Sequence, residues 1–321
     1  MGTYGDLMRM SIAPPGNDFR LGACEAPPAI ISMYLGDSMT KYLEAYKDGK
    51  ANASYNPKST KAPVGATAVP DVTVPPEDRN RTSPFPYGGH RFEFRAVGSS
   101  QNVSLVNTVL NTITAKSFKD FADALDSVEP EKVLEKARSL AREALSKNWH
   151  HIFNGNGYDP ENQAMLTERG NWRIDSGVDA IARYTDQKNL DLFDDLGVLS
   201  NEDCRARRTV LLKHYVGTVE MEANCMLEMI EKHVVPSCVK ANYGTWDLSW
   251  CINALKSGLY YIHHCEDEVE QANLARVLRL ETMMKIRQHV DAAEEWVPAG
   301  LWTLATYEEL LFLDQTLPKG K

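Results

Sequence analysis

The sequence predicts an α+β chain, with strands and loops in its first part and a large helical bundle in its longer second part. Three observations predict it: a period-two stretch at Arg91-Phe92-Glu93-Phe94-Arg95, a proline-rich tract at residues 48–78, and apolar three- and four-residue spacing from about Pro130 to Phe312. The 321 residues, 43% of them hydrophobic, are enough for one large or two smaller domains, and the change of pattern places a boundary at 126/127.

In chain order, the run Ala29 to Leu35 after Pro27 and Pro28 predicts a helix start, with proline at its first positions. Residues 48–78 are rich in Lys, Asn, Ser, Pro and Ala, with five prolines between Pro57 and Pro76, and read as an extended surface loop. At 91–95 a strand puts Arg91, Glu93 and Arg95 on one face, while Phe92 and Phe94 anchor the other in a core. Two guanidiniums and a carboxylate on one face suit a polyphosphate and its metal ion. On pattern alone the solvated outer face of an ordinary strand is the favoured reading of the stripe.

Beyond the boundary, Val133, Leu134, Ala137, Leu140, Ala141, Ala144, Leu145 and Trp149 form a helical stripe. Ser200 with Asp203 marks the start of a long helix running to Pro236, with Leu211, Tyr215, Thr218, Glu222, Cys225, Met229 and His233 on related faces. Two long helices follow, near 237–262 and 266–294, and a short one comes after Pro298.

A net charge of −9 argues against a nucleic-acid partner, and no basic stripe counters it. The first residues carry no apolar signal region, and no apolar run approaches the ~20 residues that cross a bilayer. The cytoplasm is the default reading, with an organelle open if a targeting segment precedes this sequence. The six cysteines (Cys24, Cys204, Cys225, Cys238, Cys251, Cys265) include no CxxC pair and read as reduced thiols. Within the bundle, His263-His264-Cys265-Glu266 reads as a helix end, because consecutive helical residues diverge by about 100° and do not converge on one ion. Asn154-Gly155-Asn156-Gly157 reads as a turn, and the methionines as helix packing or a subunit contact.

Three further segments sharpen the functional reading: NDFRLGACEAPP at Asn17 to Pro28, RNRTSPF at Arg79 to Phe85, and FEFR at Phe92 to Arg95 followed by Gly98-Ser99-Ser100. Their order and spacing, with IFNGNGYD at Ile152 to Asp159 and the closing Leu301 to Phe312, resemble type III glutamine synthetase over nearly the whole chain. The resemblance implies the C-terminal portion of the catalytic β-sheet domain at 1–126 and a mostly helical region at 127–321. It also implies an ATP-dependent glutamate-ammonia ligase that uses Mg²⁺ or Mn²⁺. Position by position, it makes Glu25 the base that deprotonates ammonium and Arg81 the stabiliser of the transferring phosphoryl group. Arg20 and Arg95 become binders of glutamate or its phosphorylated form, Arg91 a nucleotide-phosphate contact and Glu93 a metal ligand.

Two residues depart from the family's usual motif, Phe19 in place of His and Cys24 in place of Asn. A third, Pro86, stands where shorter glutamine synthetases carry another arginine. The likeness starts in mid-domain at Gly5 to Arg9, so the family's front half, with further metal ligands, is expected to lie outside this sequence and the isolated chain to be inactive. A homo-oligomer, or association with longer glutamine synthetase chains, follows from the resemblance. The alternative is a truncated, noncatalytic relative serving as a structural or regulatory subunit.

Overall fold

The computed structural model describes residues 1–23, 26–50, 54–55, 57, 60–62, 72–74 and 82–312. These residues are mostly helical with few short strands, and the chain divides into two compact units, Met1–Arg208 and Thr209–Lys321. Cys24, Glu25, Arg81 and most of the 48–78 tract lie outside the described residues.

The first unit opens with α1 (Gly5–Ser11) and the single turn α2 (Asn17–Arg20). Every residue of α1 is buried, and Gly5 leaves room for the Trp172 ring, which a Cβ would strike. Burying Asp6 and Arg9 requires partners. The Asp6 carboxylate accepts from Lys188 Nζ at 2.8 Å and Asn189 Nδ2 at 3.0 Å. Arg9 donates to the carbonyls of Ile174 (2.8 Å), Ile12 (3.3 Å) and Asp175 (3.2 Å), and its guanidinium lies 3.8 Å from the Asp18 carboxylate.

The helix expected to start in Ala29–Leu35 is instead β1 (Ile30–Ile31) and β2 (Met33–Tyr34), and α3 (Gly36–Lys47) starts only afterwards. Two adjacent β-branched isoleucines favour the strand, and tertiary pairing decides it. Within the proline-rich tract, β3 (Thr60–Ala62) pairs antiparallel with β4 (Val72–Val74). β5 (Phe85–Pro86) pairs parallel with β2, Phe85 opposite Met33. The long helix α4 (Ser104–Asp126) buries Val106, Val109, Thr112 and Ile113 at helical spacing. It precedes α5 (Val133–Asn148), none of whose residues is fully buried. The stripe expected there is borne out only in part: Ala141, Ala144 and Leu145 line a cavity of about 440 Å³ together with Ile113 and Phe121, whereas Leu134 is exposed. The unit continues through α6 (Pro160–Glu168), β6 (Trp172–Arg173), α7 (Gly177–Ala182) and α8 (Gln187–Asp195), with β6 antiparallel to β1.

Ser200 caps α9 (Asn201–Met229) as expected, its Oγ accepting from Asp203 N–H at 3.1 Å while Asp203 accepts from Ser200 N–H at 3.1 Å. The buried face of this helix includes Cys204, Leu212, Tyr215, Val216, Val219 and Ala223; Cys225 and Met229 are exposed. The helical path does not stop at Pro236. A π turn at Ile230–Val234 leads into α10 (Val235–Lys240), with Val235 N–H bonded to the Ile230 carbonyl. The extra residue in that turn absorbs the missing N–H and the steric demand of the proline ring.

The next break falls at Asn242, whose φ of 55° reverses the chain before α11 (Trp246–His263). α12 (Glu268–Val277), a second π turn at Leu278–Thr282, α13 (Met283–Trp296) and α14 (Tyr307–Leu311) follow. Val234, Cys238, Leu248, Ala293, Val297 and Trp302 make a shared core of the second unit. At the end of α11, His263 Nε2 lies 3.0 Å from Glu220, His264 Nδ1 2.8 Å from the Tyr260 carbonyl, and Cys265 Sγ donates to the Asp267 carbonyl, so the three side chains go to separate partners.

Candidate functional site

The stretch 91–95 does not form the expected strand: Phe92 makes one isolated bridge and the chain turns at Arg95–Ala96. Its backbone runs antiparallel to 84–87: Glu93 N–H bonds to the Pro86 carbonyl at 3.1 Å, Arg95 N–H to that of Pro84 at 3.0 Å, and Tyr87 pairs with Phe92. The reciprocal bonds are missing because both opposing residues are prolines and have no N–H to return. The expected separation of side chains survives. Phe85 stacks on Phe92 at 5.2 Å and meets Phe94 edge-on at 6.1 Å, while on the opposite face Arg95 Nε lies 3.2 Å from the Glu93 carboxylate. One expectation is corrected. Phe94 packs against the core of Ile12, Ala96 and Val106, but Phe92 is 46% exposed, since its contacts are surface rings rather than core. Arg91 is exposed and reaches His90 Nε2 at 3.0 Å, its side chain folded over Gly88.

Arg20 is brought to the same place from 76 residues away. Its Nη1 donates to Asn17 Oδ1 at 3.2 Å and to the Ala96 carbonyl at 3.4 Å, next to Arg95. Asn17, buried, fixes this junction by donating Nδ2 to the carbonyls of Ala96 (3.0 Å) and Ile12 (2.9 Å). Gly98 permits the approach, because a Cβ there would crowd Pro14 and Asn17. Arg20, Glu93 and Arg95 are therefore gathered about Ala96, with Arg91 farther along the same segment. Asn17 was in plain view inside the NDFR motif, but its role depends on a partner that no local spacing reveals.

The loop that would carry Glu25 closes at its base. Gly22, at φ +83°, donates to the carbonyls of Ala26 (3.2 Å) and Pro27 (3.1 Å), and Leu21 bridges to Ala26. Glu25 and Arg81 themselves lie outside the described residues, as does Cys24. Phe19, at the family's His position, is 43% exposed.

The NGNGYD segment proves to be more than a turn. Asn154 Oδ1 accepts from the N–H groups of Leu35 and Gly36 at 3.0 Å, and its Nδ2 donates to Thr40 Oγ1 at 2.8 Å, so it caps α3 from a distant loop. Asn154→Ala is expected to destabilise the first unit by about 1–2 kcal/mol, the scale of a lost helix cap. Urea denaturation measures it, and no change would mean that water replaces the amide at no cost.

Comparison with known proteins bears on these motifs. The glutamine synthetase C-terminal domain family matches residues 136–246. Type-3 glutamine synthetase of Dictyostelium discoideum is 30% identical over 347 residues, covering 97% of this chain and 47% of that protein. This chain is a relative of type-3 glutamine synthetase. The glutamine synthetases of Bacteroides fragilis and Butyrivibrio fibrisolvens are each 27% identical, over 96% of this chain and 47% and 48% of their own lengths. The chain thus spans about half the length of the curated relatives it matches. The family match lies downstream of the Asn17–Arg95 motifs, whereas the likeness to the Dictyostelium discoideum enzyme covers 97% of this chain.

The residues present meet only part of what the metal implied by the resemblance requires. Glu93 offers one exposed carboxylate already paired with Arg95, and among the described residues no three His, Cys, Asp or Glu side chains gather as a metal-binding group. One carboxylate can share a hydrated Mg²⁺ with a phosphate. It does not make the multi-metal site that the resemblance implies.

Proposed function

We propose that this chain carries the back half of an ATP-dependent glutamate-ammonia ligase. Residues 1–126 would be the C-terminal portion of its catalytic β-sheet domain and 127–321 its helical region. The observation that carries this reading is the approach of Arg20 to the Ala96 carbonyl beside the Glu93–Arg95 pair, on motifs that resemble those of type III glutamine synthetase. In that reaction the glutamate side-chain carboxylate attacks the γ-phosphorus of ATP and ADP leaves. Ammonia then attacks the acyl carbon of the γ-glutamyl phosphate, and phosphate departs.

Arg20 and Arg95 fit the glutamate carboxylates and the acyl phosphate, since guanidinium forks match such oxygens. Arg91 takes nucleotide phosphate and Glu93 the divalent ion, while Glu25 removes the ammonium proton and Arg81 stabilises charge on the phosphoryl group. Chemistry of this kind depends on positioned cations, and the antiparallel pairing of 84–87 with 92–95 holds one of them, Arg95, on paired backbone. Exposed aromatics of the second unit, Trp246, Trp250, Tyr260, Tyr261 and Trp296, fit contacts with further copies or with longer glutamine synthetase chains.

A second reading, a noncatalytic structural or regulatory subunit, draws on Phe19, which cannot make the hydrogen bonds of the histidine it replaces. Nucleotide binding separates the two readings. Titrated with Mg-ADP in a calorimeter, the chain is expected to bind, and Arg91→Ala to weaken binding by about 1–3 kcal/mol, the worth of a charge-assisted contact. Equal affinity in the variant would remove Arg91 from the site, and no binding by the unaltered chain would favour the noncatalytic subunit.

A further inference from the structure

We infer that a cavity lined by α9 and α13 binds a soft monovalent metal ion, Cu(I), through the Cys225 thiolate and the Met229 thioether, with a further thioether from the same wall. From sequence the methionines of this region read as helix packing or a subunit contact, but packing does not describe all of them. Met221 is 65% exposed and Met229 40%. Together with Cys225, Met226 and Met283 they line one cavity of about 600 Å³. Five sulfur-bearing side chains thus meet at one place, and one of them is a thiol that solvent reaches.

Met221, Cys225 and Met229 recur every four residues, so one face of α9 carries all three. Cys225 Sγ lies 4.0 Å from Met229 Sδ. Metal–sulfur bonds of about 2.3 Å put two ligands of a trigonal ion about 4.0 Å apart, so this pair can share an ion as it stands. The hard donors of the same lining are engaged elsewhere: Glu222 accepts from Arg279 at 2.7 and 2.8 Å, and Asp291 from Arg287 at 3.2 Å. Glu294 then leaves the lining with an acidic excess, which favours a cation. Among the described residues no three His, Cys, Asp or Glu side chains gather as a Zn²⁺ site requires, whereas thiolate with thioether is the donor set that selects Cu(I). Cys238 and Cys251 do not compete: both are buried, and burial pushes their thiols up, Cys251 to about 11, which keeps them protonated.

Binding exchanges a proton for the metal. The S–H bond of Cys225 breaks, an S–Cu bond forms with no change of oxidation state, and the proton goes to solvent, so affinity should rise with pH. In anaerobic titration of the purified chain with Cu(I) against a chromophoric Cu(I) chelator, Cys225→Ser is expected to lower affinity at least ten- to a hundredfold. Met229→Leu should lower it roughly tenfold, since losing a ligand costs no less than disturbing a ligand's surroundings. Leucine keeps the bulk and apolar surface of methionine, so a packing or docking role survives that exchange and metal binding does not. Cys265→Ser should leave affinity unchanged, because that thiol lies at the end of α11 and donates to the Asp267 carbonyl. Zn²⁺ should not displace the bound Cu(I).

The inference is overturned if the chain takes no Cu(I) from the chelator, or if Zn²⁺ is held as tightly. It is overturned equally if Cys225→Ser abolishes binding while Met229→Leu binds like the unaltered chain, which would report an adventitious thiolate only. Should Cys225→Ser fail to fold, X-ray absorption at the copper edge of the unaltered, loaded chain gives the answer. A shell of two or more sulfurs is expected. A shell containing nitrogen or oxygen would place the ion on other side chains and overturn the site.

Discussion

Replacing Arg9 by methionine is expected to cost the unit Met1–Arg208 about 3–5 kcal/mol, the penalty for breaking a buried ion pair from one side. Methionine fills much of the same volume, so the loss is electrostatic rather than a cavity. The fully buried guanidinium serves the carbonyls of Ile12, Ile174 and Asp175 and faces Asp18, whose own carboxylate accepts from Gly177 N–H at 2.7 Å. Its removal leaves a buried carboxylate and several carbonyls in a medium that water does not reach. Asp18 belongs to the same motif as Arg20, so the buried pair also fixes the turn that presents Arg20 to the site. Urea denaturation, followed in the first unit, measures the cost. Combining the change with Asp18→Asn should recover part of it, because the stranded charge is then gone. A loss below about 1 kcal/mol would show that the cage is open to solvent, contrary to the burial described here.

The second large effect concerns catalysis in an assembly that supplies the front half of the fold. There Glu25→Ala is expected to lower turnover by roughly 10²–10⁴-fold, the contribution of a positioned general base. The KM for glutamate should change little, since glutamate binding is proposed for Arg20 and Arg95. The reaction should be partly restored when ammonia arrives already deprotonated at higher pH. A variant that raises the glutamate KM at unchanged kcat would make Glu25 a binding group instead of a base.

How much of this was legible in the residues follows from the range of each interaction. The helices of the second unit show in their apolar spacing, and the capping pair Ser200 and Asp203 announces α9, because these signals are local. The continuation through Pro236 was not legible. A proline reads as a stop, and the π turn that accommodates it depends on packing of the whole helix. Asn242 could have been read as a break, since Asn before a nearby Gly tolerates the left-handed turn.

In the first unit, Ile30 and Ile31 became strand because Trp172 and Arg173 pair with them from far along the chain. The alternation at 91–95 correctly sorted Glu93 and Arg95 from the phenylalanines, yet it overstated the burial of Phe92 and could not foresee that Pro84 and Pro86 leave the ladder half-bonded. The meeting of Arg20 with Ala96 is set by tertiary approach. Motif order pointed to these segments, but only the fold shows which residues hold them together.

The most direct test of the central claim is glutamine formation from glutamate, ammonium and Mg-ATP, measured for the purified chain alone and for the chain combined with the front half of a type-3 relative. No turnover is expected from the chain alone, and turnover abolished by Glu25→Ala is expected in the combined form. A folded combined form that makes no glutamine, or turnover that survives Glu25→Ala, would contradict it.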